Sequence, residues 1–478
     1  MGGTKILVAL SLCLMVSCTM GQISHKRLSY SAQQCRLNRL SSTEPNQRIE
    51  CEGGLIELWD ESDEQYQCSG IQSMRVTVQP NSLSLPNYHP SPRLIYIERG
   101  EGILGVTFPG CPESYQSGRG RSEEGRRGEE EEEESRGYSQ RDLHQKVHRF
   151  RTGDVLAIPP GAVHWCYNDG NEDFVAIIVN DLNNPSNQLD QNFRAFYLAG
   201  GVGSSGKRSI RGVGDRQSRH QFQNIFSAFD PRLMAEAFDV PQELIRKMQQ
   251  TEDRDLIVRV EKGEMRILSP RTDREEGEEE YESRRRYMGL DVNGLDETFC
   301  SMKLRHSLNH RREADVYSRH GGRLNIVNEH KLPILRHLDM SVEKGHMYPN
   351  TLYSPHWAVN SHSVVYVVNG EAHIQVVESN GETVMDDKVR EGEMFVIPQF
   401  YAVTARAGSN GFEYVSFKTT SSPMKSPLVG YTSVFRAMPL QVLTNAYQVS
   451  PSQAQQLKYN REHQTFFLPS RGQRSSFN

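Results

Sequence analysis

At 478 residues the chain is long enough for two or three domains, and a hydrophobic content of 36% supports ordinary globular cores, which excludes a disordered polymer. A formal net charge of only −5 gives no ground for a nucleic-acid partner. Beyond the first residues no apolar run approaches the ~20 residues that span a bilayer, so no membrane partner is expected either.

Residues 1–21 read as a secretory signal peptide. Lys5 supplies the charged start, ILVALSLCLMV the apolar stretch, and Thr19 and Gly21 the small residues before cleavage at Gln22. The mature protein is then expected to be soluble, within the secretory system or outside the cell. Of the 8 cysteines, removal of Cys13 and Cys18 leaves Cys35, Cys51, Cys68, Cys111, Cys166 and Cys300. An oxidising compartment favours bridges, but many pairings are open and spacing chooses none of them. The absence of a CxxC pair argues against a zinc ribbon or a thioredoxin-like site, and no Asn-x-Ser/Thr acceptor for N-glycosylation occurs.

Farther along, the same elements come twice. RLIYIERGEGILGVTF (93–108) and SVVYVVNGEAHIQVVE (363–378) each predict a β-branched strand, a glycine turn and a second strand. HRFRTGDVLAIPPGAVHW from His148 is matched by DKVREGEMFVIPQFYAVT from Asp387, with Gly-Asp or Gly-Glu at the turn and Ile-Pro at a strand end. FSAFDPRLMAEAFDVPQELIRKM (226–248) is matched by FRAMPLQVLTNAYQVSPSQAQQL (435–457). Both predict helix, proline-bearing turn, helix, with Pro241 and Pro451 where a missing N–H costs nothing. Short strands with Gly/Pro turns point to a β-barrel or sandwich, and the simplest architecture is a mainly β protein of two barrels, each followed by a helical pair. The first unit is placed at 22–250 and the second at 294–478. Two acidic low-complexity segments interrupt them, at about 113–142 and at 270–286, the latter inside the stretch 251–293. Such runs repel themselves and bury nothing, so they are expected as disordered surface loops.

Within the first repeat, Gly153, Pro159, Gly161, His164 and Asn168 match the second signature motif of the cupin superfamily at every fixed position. The chain therefore resembles a bicupin of two jelly-roll barrels. Metal-binding cupins add two His and a Glu from a first motif to the later His, a set suited to manganese or iron. Counted back from Gly100, those positions hold Asn87, His89 and Arg93, so the carboxylate has become a cation. Counted back from Gly370 they hold His356, Ala358 and Ser363, and the late positions are Val403 and Ala407. No metal is expected in either barrel, and His89 and His164 are expected to be satisfied by local hydrogen bonds. No nucleophile elbow or glycine-rich phosphate loop stands out, so neither catalytic nor cofactor-binding residues are assigned.

The stretch YMGLDVNGLDETFC (287–300) sets a cysteine just beyond Asn293-Gly294. Alone, Asn-Gly signals a hairpin turn. Together with QQCRLNRLSSTEPNQRIECEGGLIELWD near the mature start, NGLDETFCSMKLRHSLN, and AYQVSPSQAQQLKYNRE near the end, it makes the chain resemble the legumin-type (11S) seed storage globulins over essentially its whole mature length. That resemblance implies cleavage between Asn293 and Gly294 by an asparaginyl endopeptidase in the protein storage vacuole of seeds. The charge division agrees: 22–293 carries 35 basic and 44 acidic residues, or −9, and 294–478 carries 19 and 16, or +3. The resemblance further implies a bridge of Cys35 with Cys68 inside the acidic chain and of Cys111 with Cys300 across the cut. Cys51 and Cys166 stay unassigned, and Cys166, beside His164 and Trp165, is expected to be a buried free thiol.

The implied function is a reserve of nitrogen, carbon and sulfur, with no catalysis and no cofactor; 42 arginines among 55 basic residues suit it. Homo-trimers before cleavage and homo-hexamers after it are implied, and the helical pairs at 222–250 and 438–462 are the candidates for trimer contacts. A vicilin-type (7S) storage globulin shares the two barrels but not the Asn-Gly-Leu-Asp motif. A secreted germin-like metal-binding cupin shares the barrel and the signal but needs the missing ligands. For a secreted ligand-binding bicupin, nothing polar converges by sequence.

Overall fold

The computed structural model describes residues 37, 39–60, 63–111, 113, 115–116, 143–201, 223–250, 254–261, 265, 300–461 and 466–469. The signal segment 1–21, Cys35, most of the first acidic segment, all of 270–286 and the Asn293-Gly294 bond lie outside the described residues.

Phe174–Asp181 (FVAIIVND) is buried along its whole length and runs through the middle of a seven-stranded sheet, where an unbroken apolar run belongs. Ile71–Val78 flanks it on one side and Arg93–Arg99 on the other, both antiparallel. A six-stranded sheet contains Ser82–Tyr88, Val163–Asn168, Glu101–Thr107 and Val147–Arg151 in that spatial order. Leu94, Tyr96 and Ile177 of the first sheet share one apolar cluster with Leu104, Val106 and Phe150 of the second, so the two sheets close face to face on a common core. At the base of the first acidic segment, Tyr115–Gln116 pairs with Leu143–His144.

The second repeat is built on two long strands, Ser363–Val377 and Ala402–Lys418. Here the two repeats differ. The first breaks at Gly100 (φ +83°) into Arg93–Arg99 and Glu101–Thr107, the strand-turn-strand expected from sequence. The second continues through Gly370 (φ +78°) as one strand with register shifts at Val367/Asn369 and Gly370/Ala372. A bulge absorbs the irregularity there, and a Cβ at Gly370 would strike the Gly411 carbonyl, so both conformation and space require glycine.

The two units exchange chain segments. Arg305–Ser307, from beyond residue 293, adds the outer strand of the seven-stranded sheet beside Asp154–Ile158. Arg305 Nη1 lies 3.0 Å from the buried Asp154 carboxylate. In the other direction, Thr43 bridges to Met394, the Leu40 N–H donates to the Val384 carbonyl, and Leu37 and Leu40 are buried in the second apolar cluster. The helix Glu64–Ser69 also reaches the second unit: the Val396 N–H donates to Gln65 Oε1 at 3.2 Å. Val364, Tyr366 and Phe417 of the second unit belong to the same apolar cluster as Trp59 and Tyr96 of the first. At that boundary Tyr366 donates to Glu98 at 2.7 Å, and Lys344 donates to the Tyr96 hydroxyl at 3.0 Å.

A helical pair follows each barrel. Pro231–Phe238 starts on Asp230, whose carboxylate accepts from the Arg232 N–H at 2.7 Å with Pro231 at the first helical position, and Gln242–Gln249 follows with Pro241 as its cap. Leu440–Tyr447 and Pro451–Tyr459 repeat the pattern, the last closed by a capping box between Ser450 and Gln453. Among the described residues no helix is long and apolar enough to cross a membrane.

Candidate functional site

Pairing of Val163–Asn168 with Ser82–Tyr88 sets His164 opposite Asn87, and Arg93 opens the neighbouring sheet's strand. The positions at which metal cupins keep ligands thus meet inside the first barrel, where His89, Arg93 and His164 are 5%, 4% and 4% exposed. Arg93 Nη1 donates to His164 Nε2 at 3.0 Å, which leaves His164 Nδ1–H to donate to the Ala162 carbonyl at 3.3 Å. The His164 lone pair that a metal would need is therefore engaged by a cation. His89 sets its ring nitrogens 2.8 Å from Asn87 Oδ1 and 3.1 Å from the Arg194 carbonyl. Burial, reinforced by the Arg93 charge, brings His164 down to about 3 and holds His89 well below its ordinary value. Asn168 ties the following turn instead of serving the site, donating to the Val78 and Glu172 carbonyls at 2.8 and 2.9 Å and accepting from the Gly170 N–H.

Cys166, expected to be buried, is a free thiol that is only half-buried, on a strand whose burial is irregular. Desolvation still pushes its pKa up to about 12, which keeps it an unreactive thiol. The Cys51 thiol lies 3.9 Å from the Ile49 carbonyl.

In the second barrel Ala358, Val403 and Ala407 offer no side-chain donor, and His356 sets Nδ1 2.9 Å from the Ser354 carbonyl. Burial, then Lys425, bring His356 down to about 3. Ser363 accepts from Lys418 Nζ at 2.7 Å. Lys418 lies 3.4 Å from Glu343, and Lys425 lies 2.5 Å from the other Glu343 oxygen while donating to Tyr353 at 2.8 Å. Burial alone would raise the Glu343 carboxyl, but the two ammonium groups outweigh it and bring it to about 2. Burial also lowers Lys418, to about 8, against the pull of Glu343. Sequence reasoning missed Glu343, Lys418 and Lys425; the available signal was charge inside apolar strands, as in YVSFK.

Arg93 thus occupies a ligand position in the first barrel, Lys418 bonds Ser363 at one in the second, and neither donor set fits a metal. Among the described residues no group of three His, Cys, Asp or Glu side chains is placed to share one.

Cys111 and Cys300 form a disulfide with Cα atoms 5.5 Å apart, joining positions 189 residues apart in sequence. Gln145 fixes the Cys111 turn: its Nε2 donates to the Phe108 and Cys111 carbonyls at 2.8 and 2.9 Å, and its Oε1 accepts from the Phe108 N–H at 2.8 Å. Cys68, in the helix Glu64–Ser69, is disulfide-bonded, and Cys35 lies outside the described residues.

The Cupin family model matches residues 40–202 and 308–455, one stretch on each barrel. The chain is 57% identical to 11S globulin seed storage protein 2 of Sesamum indicum over 473 residues, 98% of this chain and 99% of the relative. The crystal structure of the coconut allergen cocosin superposes with a TM-score of 0.76 at 38% identity, covering 91% of this chain and all 100% of that one. A vicilin from Capsicum annuum, at 13% identity and a TM-score of 0.62 over 90% of this chain and 97% of its own, shares the fold alone. With a cupin match on each barrel and this identity along almost its whole length, the chain belongs to the 11S globulin family of seed storage proteins.

Proposed function

We propose that this globulin is a non-catalytic reserve of nitrogen, carbon and sulfur that is cut once, between Asn293 and Gly294, by an asparaginyl endopeptidase in the storage vacuole. The observation that carries the reading is the Cys111–Cys300 bridge, whose two ends lie on opposite sides of that bond. It would keep the acidic and basic chains covalently joined after the cut. The arginine at a ligand position of the first barrel, and the alanines and valine at those of the second, support a protein without metal chemistry.

Assembly as a homo-trimer, and as a homo-hexamer once cut, fits the surfaces of the helical pairs. Leu233, Phe238 and Leu244 on the first pair, and Val442, Tyr447 and Leu457 on the second, are exposed apolar side chains that the barrels do not cover. The two pairs sit on different units, so contact of one with the other on a neighbouring copy is head-to-tail, the arrangement that makes a ring when its rotation closes. Electrophoresis of seed-derived protein with and without reductant tests the processing half: two chains with reductant and one band without it support the reading, and a single full-length chain under both conditions contradicts it.

A further inference from the structure

Arg93 is a buried cation with neutral neighbours. Its Nε donates to Asn180 Oδ1 at 3.0 Å, and Asn180 in turn donates to Gln72 Oε1 at 2.6 Å, so the guanidinium is positioned from behind by amides. Its Nη1 donates to the His164 ring. Nη2 is buried and, among the described residues, has no hydrogen-bond partner. The ionisable groups whose charge would favour Arg93 are Tyr197 and Cys166, and desolvation keeps both of them neutral. Burial lowers Arg93 only to about 10, so it remains charged at pH 7. An interior charge with no counter-charge among the described residues is costly, and an unmet N–H edge adds to that cost.

We propose that the first barrel binds a small monovalent anion, a halide or a short carboxylate such as formate, on the Nη2 edge of Arg93. Arginine where metal cupins keep a carboxylate inverts the preference of these positions: a set that holds a cation becomes one that holds an anion. His89 fits that inversion. Both of its ring nitrogens face acceptor oxygens, and the Asn87 amide is fixed in that orientation because its Nδ2 donates to the Leu85 carbonyl at 2.8 Å. With both ring nitrogens committed to oxygens, His89 turns no free lone pair toward a cation. Asn87, His89, Ser91, Arg93 and His164 are all buried, which restricts the ligand to a small ion. The inference is independent of the storage and processing reading.

Crystals of the intact protein soaked in sodium bromide test it directly. The expected result is an anomalous peak within hydrogen-bonding reach of Arg93 Nη2; in sodium formate, density of carboxylate shape should take the same place. A peak with bromide alone assigns a halide, and occupation by formate alone assigns a carboxylate. A water, or nothing, at Nη2 in both soaks overturns the proposal. In solution, bromide or formate should shift thermal unfolding upward and saturably relative to a large organic anion at equal ionic strength. Arg93→Met should lose that shift, and an equal shift in a folded Arg93→Met protein would also overturn it. If that variant does not fold, the soaks of the unaltered protein decide.

Discussion

Glu343 holds two lysines inside the second barrel, so its charge carries more than either partner's. Glu343→Gln leaves Lys418 and Lys425 facing each other without a counter-ion, which is expected to cost about 3–5 kcal/mol, whereas Lys418→Met keeps the Glu343–Lys425 pair and relieves one desolvated charge. Urea unfolding should therefore show a much larger loss for Glu343→Gln than for Lys418→Met; equal losses would contradict this division. The buried histidines set the pH dependence. His164 and His356, brought down to about 3, refuse in the folded state a proton that the unfolded chain accepts below about 6.5. Their full contribution is present above about pH 6.5 and is lost as pH falls toward 3. Glu343, brought to about 2, adds a loss of the same sign that begins below about 4.5. Stability should fall steadily from pH 6.5 downward, each histidine supplying up to about 1.4 kcal/mol per pH unit. His356→Gln should flatten the upper part of that slope in denaturation midpoints measured across pH.

At the scale of elements, the exchange of segments between units gives a bond that reductant cannot break. Arg305–Ser307 is paired in the first sheet, while Leu37, Leu40 and Thr43 are held by the second unit. Protein cut at Asn293 and then reduced without denaturant should therefore sediment as one particle, and the chains should separate only when denaturant is added; separation by reductant alone would contradict the interlock. Little of this is legible in the sequence. The repeated strands, turns and helical pairs are, because each is signalled by residues close together: β-branched runs around Gly100 and Gly370, or Asp230-Pro231 and Ser450-Pro451 opening helices. The partner of Arg305–Ser307 lies about 150 residues earlier, where no local pattern points, as the Arg305–Asp154 separation shows. Glu343 and Lys425 are likewise 82 residues apart and meet only once the barrel closes. The candidate ligand positions were readable from motif spacing around Gly100, Gly153 and Gly370. What fills them electrostatically was not, because neither the Asn180 support behind Arg93 nor the buried, unsatisfied Nη2 edge leaves a mark in sequence.

On the scale of the whole molecule, the uncovered apolar helices are where copies of the chain are proposed to meet. Leu233 is 65% exposed and Leu457 49%, on the first and second helical pair respectively. Leu233→Asp combined with Leu457→Asp should leave each barrel folded, since neither side chain enters its core, yet shift sedimentation from trimer to monomer. Retained trimers would place the contact elsewhere. The central claim, that one cut leaves two chains tied by one bridge, is tested most directly by intact-mass and peptide mass spectrometry of the seed-derived protein before and after reduction. A single covalent species that reduction splits in two is expected, one chain ending at Asn293 and the other beginning at Gly294, with a non-reduced peptide pair linking Cys111 to Cys300. An uncut chain, a terminus at another bond, or Cys300 paired with any cysteine other than Cys111 would contradict it.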